Sequence, residues 1–163
     1  NDDEPLLVRQ KESYDGALPS GNSVAACQLL RLSKLTGDFT LEEKVQQLFQ
    51  AFSKDIDDEP TAHAMMLQAV MYAQQATKEV VIVMDDETKE VVDFINHIQK
   101  NFYPGISVMV VKRREQAKLS KIASFIEDYA MINGQPTIYV CENFSCNQPT
   151  NDFQTAMDLL FKK

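Results

Sequence analysis

Three stretches of the chain carry residue types at spacings that chemistry could use. The first is Tyr14-Asp15-Gly16-Ala17-Leu18-Pro19-Ser20-Gly21-Asn22-Ser23, where two glycines, a proline and short polar side chains run into an apolar segment. This reads as a tight loop feeding a helix N-terminus. Asn22 and Ser23 are both good N-cap residues, because their side-chain oxygens accept from the orphan N–H groups of a first turn. Gly21 permits a close or left-handed backbone, and the helix start beyond it favours anions and polar ligands. The second stretch is Cys141-Glu142-Asn143-Phe144-Ser145-Cys146. Its spacing is neither the Cys-x-x-Cys of a redox site nor that of a zinc knuckle, and no second pair completes four ligands, so no metal is expected. Two reduced thiols on a strand-to-helix loop are the simpler reading, and a structural or redox-labile disulfide is the alternative. The third comprises Asp85-Asp86 and Lys112-Arg113-Arg114, each following an apolar run. They read as helix capping and a solvated basic turn, with no glycine-rich loop beside them to cradle a phosphate.

Several chemistries have no footing. The sequence holds no Gly-x-Gly-x-x-Gly, no P-loop and no Gly-x-Ser-x-Gly, so neither a cofactor nor a serine nucleophile is expected. Its two histidines, His63 and His97, fall inside predicted helices. A net charge of −8 argues against nucleic acid and anionic membrane surfaces as partners. No apolar run approaches the roughly 20 residues that span a bilayer. Three cysteines, an odd number, do not form a disulfide framework and suggest a reducing, cytoplasmic compartment. Cys27 is expected to be a small buried apolar residue in the first helix. The chain starts Asn1-Asp2-Asp3-Glu4-Pro5 without Met, which suggests a processed product or a piece of a longer protein.

The elements that must position these residues divide near residue 77. Residues 1–77 read as a helical segment. Leu6, Leu7, Val8, Tyr14 and Leu18 give the opening loop side chains to bury. Helix one runs from about Ser23 to Thr36, with Val24, Ala25, Cys27, Leu29, Leu30 and Leu32 on a wide apolar face and Gly37 closing it. Thr40 and Glu43 form a capping-box pattern for helix two. Pro60 starts helix three, which reaches about Ala76 with Met65, Met66, Ala69, Val70 and Ala73 inward. Residues 78–163 read as α/β. Glu79-Val80-Val81-Ile82-Val83-Met84, Ile106-Ser107-Val108-Met109-Val110-Val111 and Pro136-Thr137-Ile138-Tyr139-Val140-Cys141 are β-branched runs of strands buried on both faces. A helix with Val91, Ile95, Ile98 and Phe102 inward separates the first two. A second, from about Glu115 to Met131 with Leu119, Ile122, Ala123, Ile126 and Tyr129 inward, separates the last two. A final helix is built on Phe153, Ala156, Met157, Leu160 and Phe161. The alternation implies a three-stranded parallel βαβαβα unit. Its carboxyl ends, the default ligand crevice, would gather Asp85, Asp86, Lys112 to Arg114, and Cys141 to Cys146.

Two long motifs at opposite ends of the chain carry a family resemblance. The run Arg9 to Ala26, followed by Leu29-Leu30-Arg31-Leu32 and Leu35-Thr36-Gly37-Asp38, resembles the C-terminal part of the spermatogenesis-associated protein 20 family, which includes the bacterial YyaL proteins. The tail Tyr139 to Pro149 is similar to the family's ending. The resemblance implies a parent of several hundred residues, with a thioredoxin-like domain followed by an α/α toroid similar to six-hairpin glycosidases and sugar epimerases. This chain would supply the last part of the toroid and the C-terminal α/β segment. In that setting Asp15 becomes a candidate acid/base or ligand-orienting carboxylate. Ser20, Gly21, Asn22 and Ser23 become ligand-binding candidates toward a carbohydrate-like molecule. Turnover is expected of the parent, if of anything, and not of the isolated chain. The alternative is a non-enzymatic structural module, redox-linked through Cys141 and Cys146 to the parent's thioredoxin-like domain. Either way the helical face left uncovered is expected to meet the rest of the parent or a second copy.

Overall fold

The computed structural model describes residues 11–101, 103–142 and 145–161. Leu6, Leu7, Val8 and Phe102, expected in the core, lie outside the described residues. The helical part comprises α1 (Gly21–Thr36), α2 (Thr40–Asp58), a 3-10 turn (Pro60–His63) and α3 (Ala64–Gln74). The remainder comprises β1 (Lys78–Met84), α4 (Lys89–Lys100), β2 (Ile106–Lys112), α5 (Arg113–Leu119), a 3-10 turn (Ser124–Ile126), β3 (Thr137–Glu142), β4 (Ser145–Cys146) and α6 (Phe153–Phe161).

Three apolar clusters hold these elements. Ala26, Leu30, Val45, Phe52, Met66 and Ala69 form the core between α1, α2 and α3. Strand β1 is buried on both faces, and its alternation sends side chains to two different cores. Val80, Ile82 and Met84 pack with Val91, Phe94 and Ile98 of α4 and Ala156 and Leu160 of α6. Val81 and Val83 pack with Val111, Ala123 and Ile126 on the other face. Lys78 ties strand to helix, its Nζ donating to the carbonyls of Leu159 and Leu160 at 2.8 and 2.9 Å. Those carbonyls lie in the last turn of α6, where a cation suits the dipole.

The α/β class is as expected, but the sheet differs in detail. It is four-stranded and mixed, in the order β2-β1-β3-β4. Strands β1 and β2 are parallel, whereas β3 runs antiparallel to β1 and β4 antiparallel to β3. The reason lies in the connection before β3. The expected helix from Glu115 to Met131 ends at Leu119. Beyond it, the Gln116 side-chain amide donates to the carbonyls of Ile126 and Tyr129 at 2.8 and 2.7 Å, folding the following segment back over α5. Seven helical residues advance only ~10 Å, and the segment after them folds back on α5 instead of carrying the chain to the starting end of the sheet. Strand β3 therefore enters at the far end and runs back. Ile122, expected inward on the longer helix, is 66% exposed.

Smaller differences concern helix ends and faces. α1 is capped by Ser20, whose hydroxyl accepts from Ser23 N–H, rather than by Asn22 or Ser23. Gly37 closes it as expected, in the left-handed conformation at φ 75°. Asp38, not Thr40, serves the start of α2, its Oδ1 accepting from Thr40 N at 3.0 Å. Thr88 caps α4, not Asp85 or Asp86. Val24, Leu32 and Ala73, expected inward, are exposed. Tyr14 and Leu18 are also exposed, at 58% and 82%.

Candidate functional site

The Tyr14–Ser23 loop is positioned by Asp15. Its backbone N–H donates to the Ala62 carbonyl at 2.7 Å. Its Oδ1 accepts from Ser20 N at 2.8 Å, and its Oδ2 accepts from Met65 N at 2.8 Å and Met66 N at 3.0 Å. One carboxylate thus closes the loop and caps the first turn of α3, whose N–H groups have no partner within the helix. Burial pushes the Asp15 carboxyl up, but N–H donation from Ser20, Met66 and Met65 and the Ser23 hydroxyl outweigh it and hold the group below the ordinary aspartate range. The neighbours are equally occupied. Ser20 Oγ lies 2.8 Å from Ser23 Oγ, both buried, and the Asn22 amide donates to the Glu12 carbonyl at 2.7 Å. Gly21 lies on α1 with open space around its Cα. Gly16 is constrained instead, since a Cβ there would sit 2.7 Å from the Tyr14 ring. His63 joins the same assembly, buried with Nδ1 2.7 Å from the Ser13 carbonyl.

The strand-end crevice is split by the antiparallel β3. At one end, Arg113 Nη1 pairs with Asp85 Oδ2 at 3.4 Å, and both side chains are more than half exposed. At the other end stand Cys141 and Cys146, beside the first residues of β1. They are directly paired across β3 and β4 and are joined as a disulfide, not held as two reduced thiols. Cys27, the remaining cysteine, is buried in α1 as expected, with Sγ donating to the Met65 carbonyl at 3.6 Å.

The disulfide lines a cavity of about 190 Å³ together with Lys34, Thr36, Gly37, Glu79, Ser124, Phe125 and Tyr129. The end of α1, the start of β1 and the segment after α5 meet there. The two sulfurs are inequivalent: Cys141 is 5% exposed, whereas Cys146 is an exposed residue. Tyr129 Oη lies 2.9 Å from Cys146 Sγ and 3.6 Å from Cys141 Sγ. A disulfide carries no hydrogen, so the phenol is the donor. Its ring stacks on Tyr139 with centroids 4.0 Å apart and planes 8° apart. Tyr139 is itself pinned, its hydroxyl donating to the Ala130 carbonyl and accepting from Ala130 N–H. Burial, with Tyr139 beside it, pushes the Tyr129 phenol up and keeps it a donor.

Glu79 is the member of this cavity that the sequence reading placed only in a strand. It is 5% exposed and lies opposite Cys141 in the β1–β3 register. Thr77 Oγ1 donates to its Oε1 at 2.9 Å. Burial pushes the carboxyl up; the Thr77 bond and Lys34 offset this in part, and Glu142 adds to it. A usable signal was present: a carboxylate inside a run otherwise reading as buried on both faces is an anomaly, because glutamate is almost never fully buried without a partner.

Among the described residues, no group of three or more His, Cys, Asp or Glu could hold a metal ion, and no helix is long and apolar enough to cross a membrane.

No family model matches the chain, and no solved structure matches it. Curated relatives do. Human spermatogenesis-associated protein 20 is 33% identical over 147 residues, which is 90% of this chain and 19% of that protein. The rat protein of the same name is 31% identical over 147 residues, again 90% of this chain and 19% of its own length. An uncharacterised protein of Caenorhabditis elegans is 29% identical over 161 residues, 98% of this chain and 22% of that protein. The chain therefore spans about a fifth of the length of the curated relatives it matches.

Proposed function

Given a match consistent with a C-terminal fragment of the spermatogenesis-associated protein 20 family, we propose that this chain is a thiol–disulfide exchange module of a larger protein. Cys146 is the exchanging sulfur and Cys141 the resolving one. The observation that carries this reading is the asymmetry of the pair: Cys146 is an exposed residue whose sulfur lies nearer the Tyr129 hydroxyl, whereas Cys141 is buried. Exchange proceeds by attack on an accessible sulfur and expulsion of its partner, so access selects Cys146. In its reduced form the Tyr129 hydroxyl would donate to a Cys146 thiolate, which favours the reactive species. The bond closes a very short loop, since its two cysteines are 5 apart in sequence, and such a loop contributes only ~2 kcal/mol of stability. The cytoplasmic location expected from cysteine usage fits, because disulfides in that compartment are usually transient and catalytic or sensing.

The division at residue 77 gives the two parts different duties in this reading. The helical part, with Val24, Leu32 and Met71 exposed on α1 and α3, is the face for the rest of the parent or a second copy. A carbohydrate ligand of a complete toroid would meet the Tyr14–Ser23 loop as a preformed wall, held by Asp15 rather than attacked by it.

Single-cysteine variants test the assignment. Incubated with glutathione disulfide, Cys141→Ser should form a mixed disulfide at least about tenfold faster than Cys146→Ser, as exposure dictates. Equal rates would overturn the order of the sulfurs, and two inert variants would overturn the exchange reading.

A further inference from the structure

The exchange site leaves a chemical problem at its buried cysteine. When a thiolate attacks Cys146 Sγ, the Cys146–Cys141 bond breaks and its electron pair goes to Cys141 Sγ. Cys141 is a buried residue, 5% exposed. A charge created there is poorly solvated and costly unless a proton arrives. Tyr129 reaches Cys141 Sγ but is a poor acid for it, because burial pushes its phenol up. Its hydroxyl lies nearer Cys146 than Cys141, 2.9 against 3.6 Å, and is engaged with the attacked sulfur.

We propose that Glu79 is the proton carrier of the Cys141–Cys146 couple, protonating Cys141 when the disulfide opens and deprotonating it when the disulfide closes. This rests on the exchange reading above. Three observations carry it. Glu79 and Cys141 are direct cross-strand neighbours on β1 and β3, a relation that puts Cβ atoms ~5 Å apart on one face. Both line the same cavity. Both are buried residues, so few other proton donors compete beside them. Burial also raises the Glu79 carboxyl above the ordinary glutamate range. The direction of that shift is toward the thiols it serves.

The step balances as follows. A partner protein dithiol presents one thiolate, which forms a bond to Cys146 Sγ while the Cys146–Cys141 bond breaks. Cys141 takes the proton of the Glu79 carboxyl and becomes a thiol, leaving Glu79 as carboxylate. The second partner thiol loses its proton and attacks its own mixed-disulfide sulfur. Cys146 leaves as a thiolate facing the Tyr129 hydroxyl, and the released proton restores Glu79 through the cavity. The partner dithiol is oxidised to a disulfide, and two electrons reside on Cys141 and Cys146. Charged and titratable groups around Glu79 come from every neighbouring element: Lys34 of α1, Tyr72 of α3, Tyr129 of the segment after α5, Glu142 and Cys141 of β3, and Cys146 of β4.

The test is the pH profile of disulfide reduction by dithiothreitol in native protein, corrected for the thiolate fraction of the reductant. Wild type should show a break where Glu79 loses its proton. Glu79→Gln should lack the break and react about tenfold or more slowly below it, converging with wild type above. Thr77→Val, which removes a bond to the carboxylate, should move the break to higher pH, and this carries the test if Glu79→Gln does not fold. Superimposable profiles for wild type and both variants would overturn the role of Glu79 while leaving exchange intact. A disulfide that native protein does not exchange at any pH would overturn the exchange reading itself.

Discussion

The Tyr14–Ser23 loop and the Cys141–Cys146 corner are opposite uses of polar residues. The loop has the denser polar sequence, and every polar group named in it is engaged on backbone or on a neighbouring hydroxyl. The corner reads in the sequence as an ordinary strand end, yet it gathers a disulfide, a phenol and a buried carboxylate around open volume. Polar groups that satisfy one another make architecture. Polar or reactive groups that are buried yet face space are in a position to do work.

The comparison predicts its largest effect on the loop, and on stability. Asp15→Ala strips one partner each from Ser20, Met65 and Met66 N–H. Losing hydrogen bonds to a charged acceptor at a half-buried position should cost about 3 kcal/mol. For a chain of this size that lowers Tm by roughly 6–12 °C. Asp15 has a folded-state pKa below its unfolded one, so its contribution is present above the ordinary value of 3.8 and is lost as pH falls through the folded value. The gap between wild type and Asp15→Ala, followed by thermal denaturation, should therefore be full at neutral pH and close in acid. Disulfide exchange at neutral pH should be unchanged in the folded variant. A stable Asp15→Ala protein would break the contrast, freeing Asp15 for a role at a ligand.

The sequence made the regular elements legible because their periodicity is local. Val91 and Ile98 on α4, and the β-branched run of β1, are set by neighbours a few residues away. The direction of β3 was not legible. It depends on Gln116 reaching carbonyls ten and thirteen residues ahead, a long-range bond with no periodic signature. That one error in direction placed Cys141 beside Asp85 rather than beside Glu79. The cysteines could be singled out by type, but their partners could not, because those are fixed by strand register. Asp15 could be singled out by its type and loop setting, but two of its three N–H donors, Met65 and Met66, come from a helix fifty residues away.

A smaller effect sharpens the corner. Tyr129→Phe keeps the ring stacked on Tyr139 and removes the hydroxyl 2.9 Å from Cys146 Sγ. Loss of a donor to the thiolate should raise the Cys146 thiol pKa by about one unit and slow exchange several-fold at neutral pH. Iodoacetamide alkylation of reduced protein across pH reads this directly. An unchanged thiol titration would reduce Tyr129 to packing and weaken the contrast with the loop.

The smallest effect separates the two carboxylates by sign. Asp15 is held charged, whereas burial favours the neutral form of Glu79. With its folded-state pKa raised, Glu79 binds a proton more tightly in the native chain than in the unfolded one. Its stabilising contribution is full below the ordinary value of 4.5 and is lost as pH rises through the folded value. Glu79→Gln keeps a carbonyl oxygen for the Thr77 hydroxyl and has no charge to desolvate. Its Tm relative to wild type should therefore rise with pH across that window, by about 2 °C, while Asp15→Ala falls further behind as pH rises from acid. If both variants moved in the same direction, the buried corner would be no more than a second copy of the loop's architecture. Opposite slopes mark Glu79 as a group whose burial costs stability at neutral pH, as expected of a residue placed for proton transfer rather than for holding the fold.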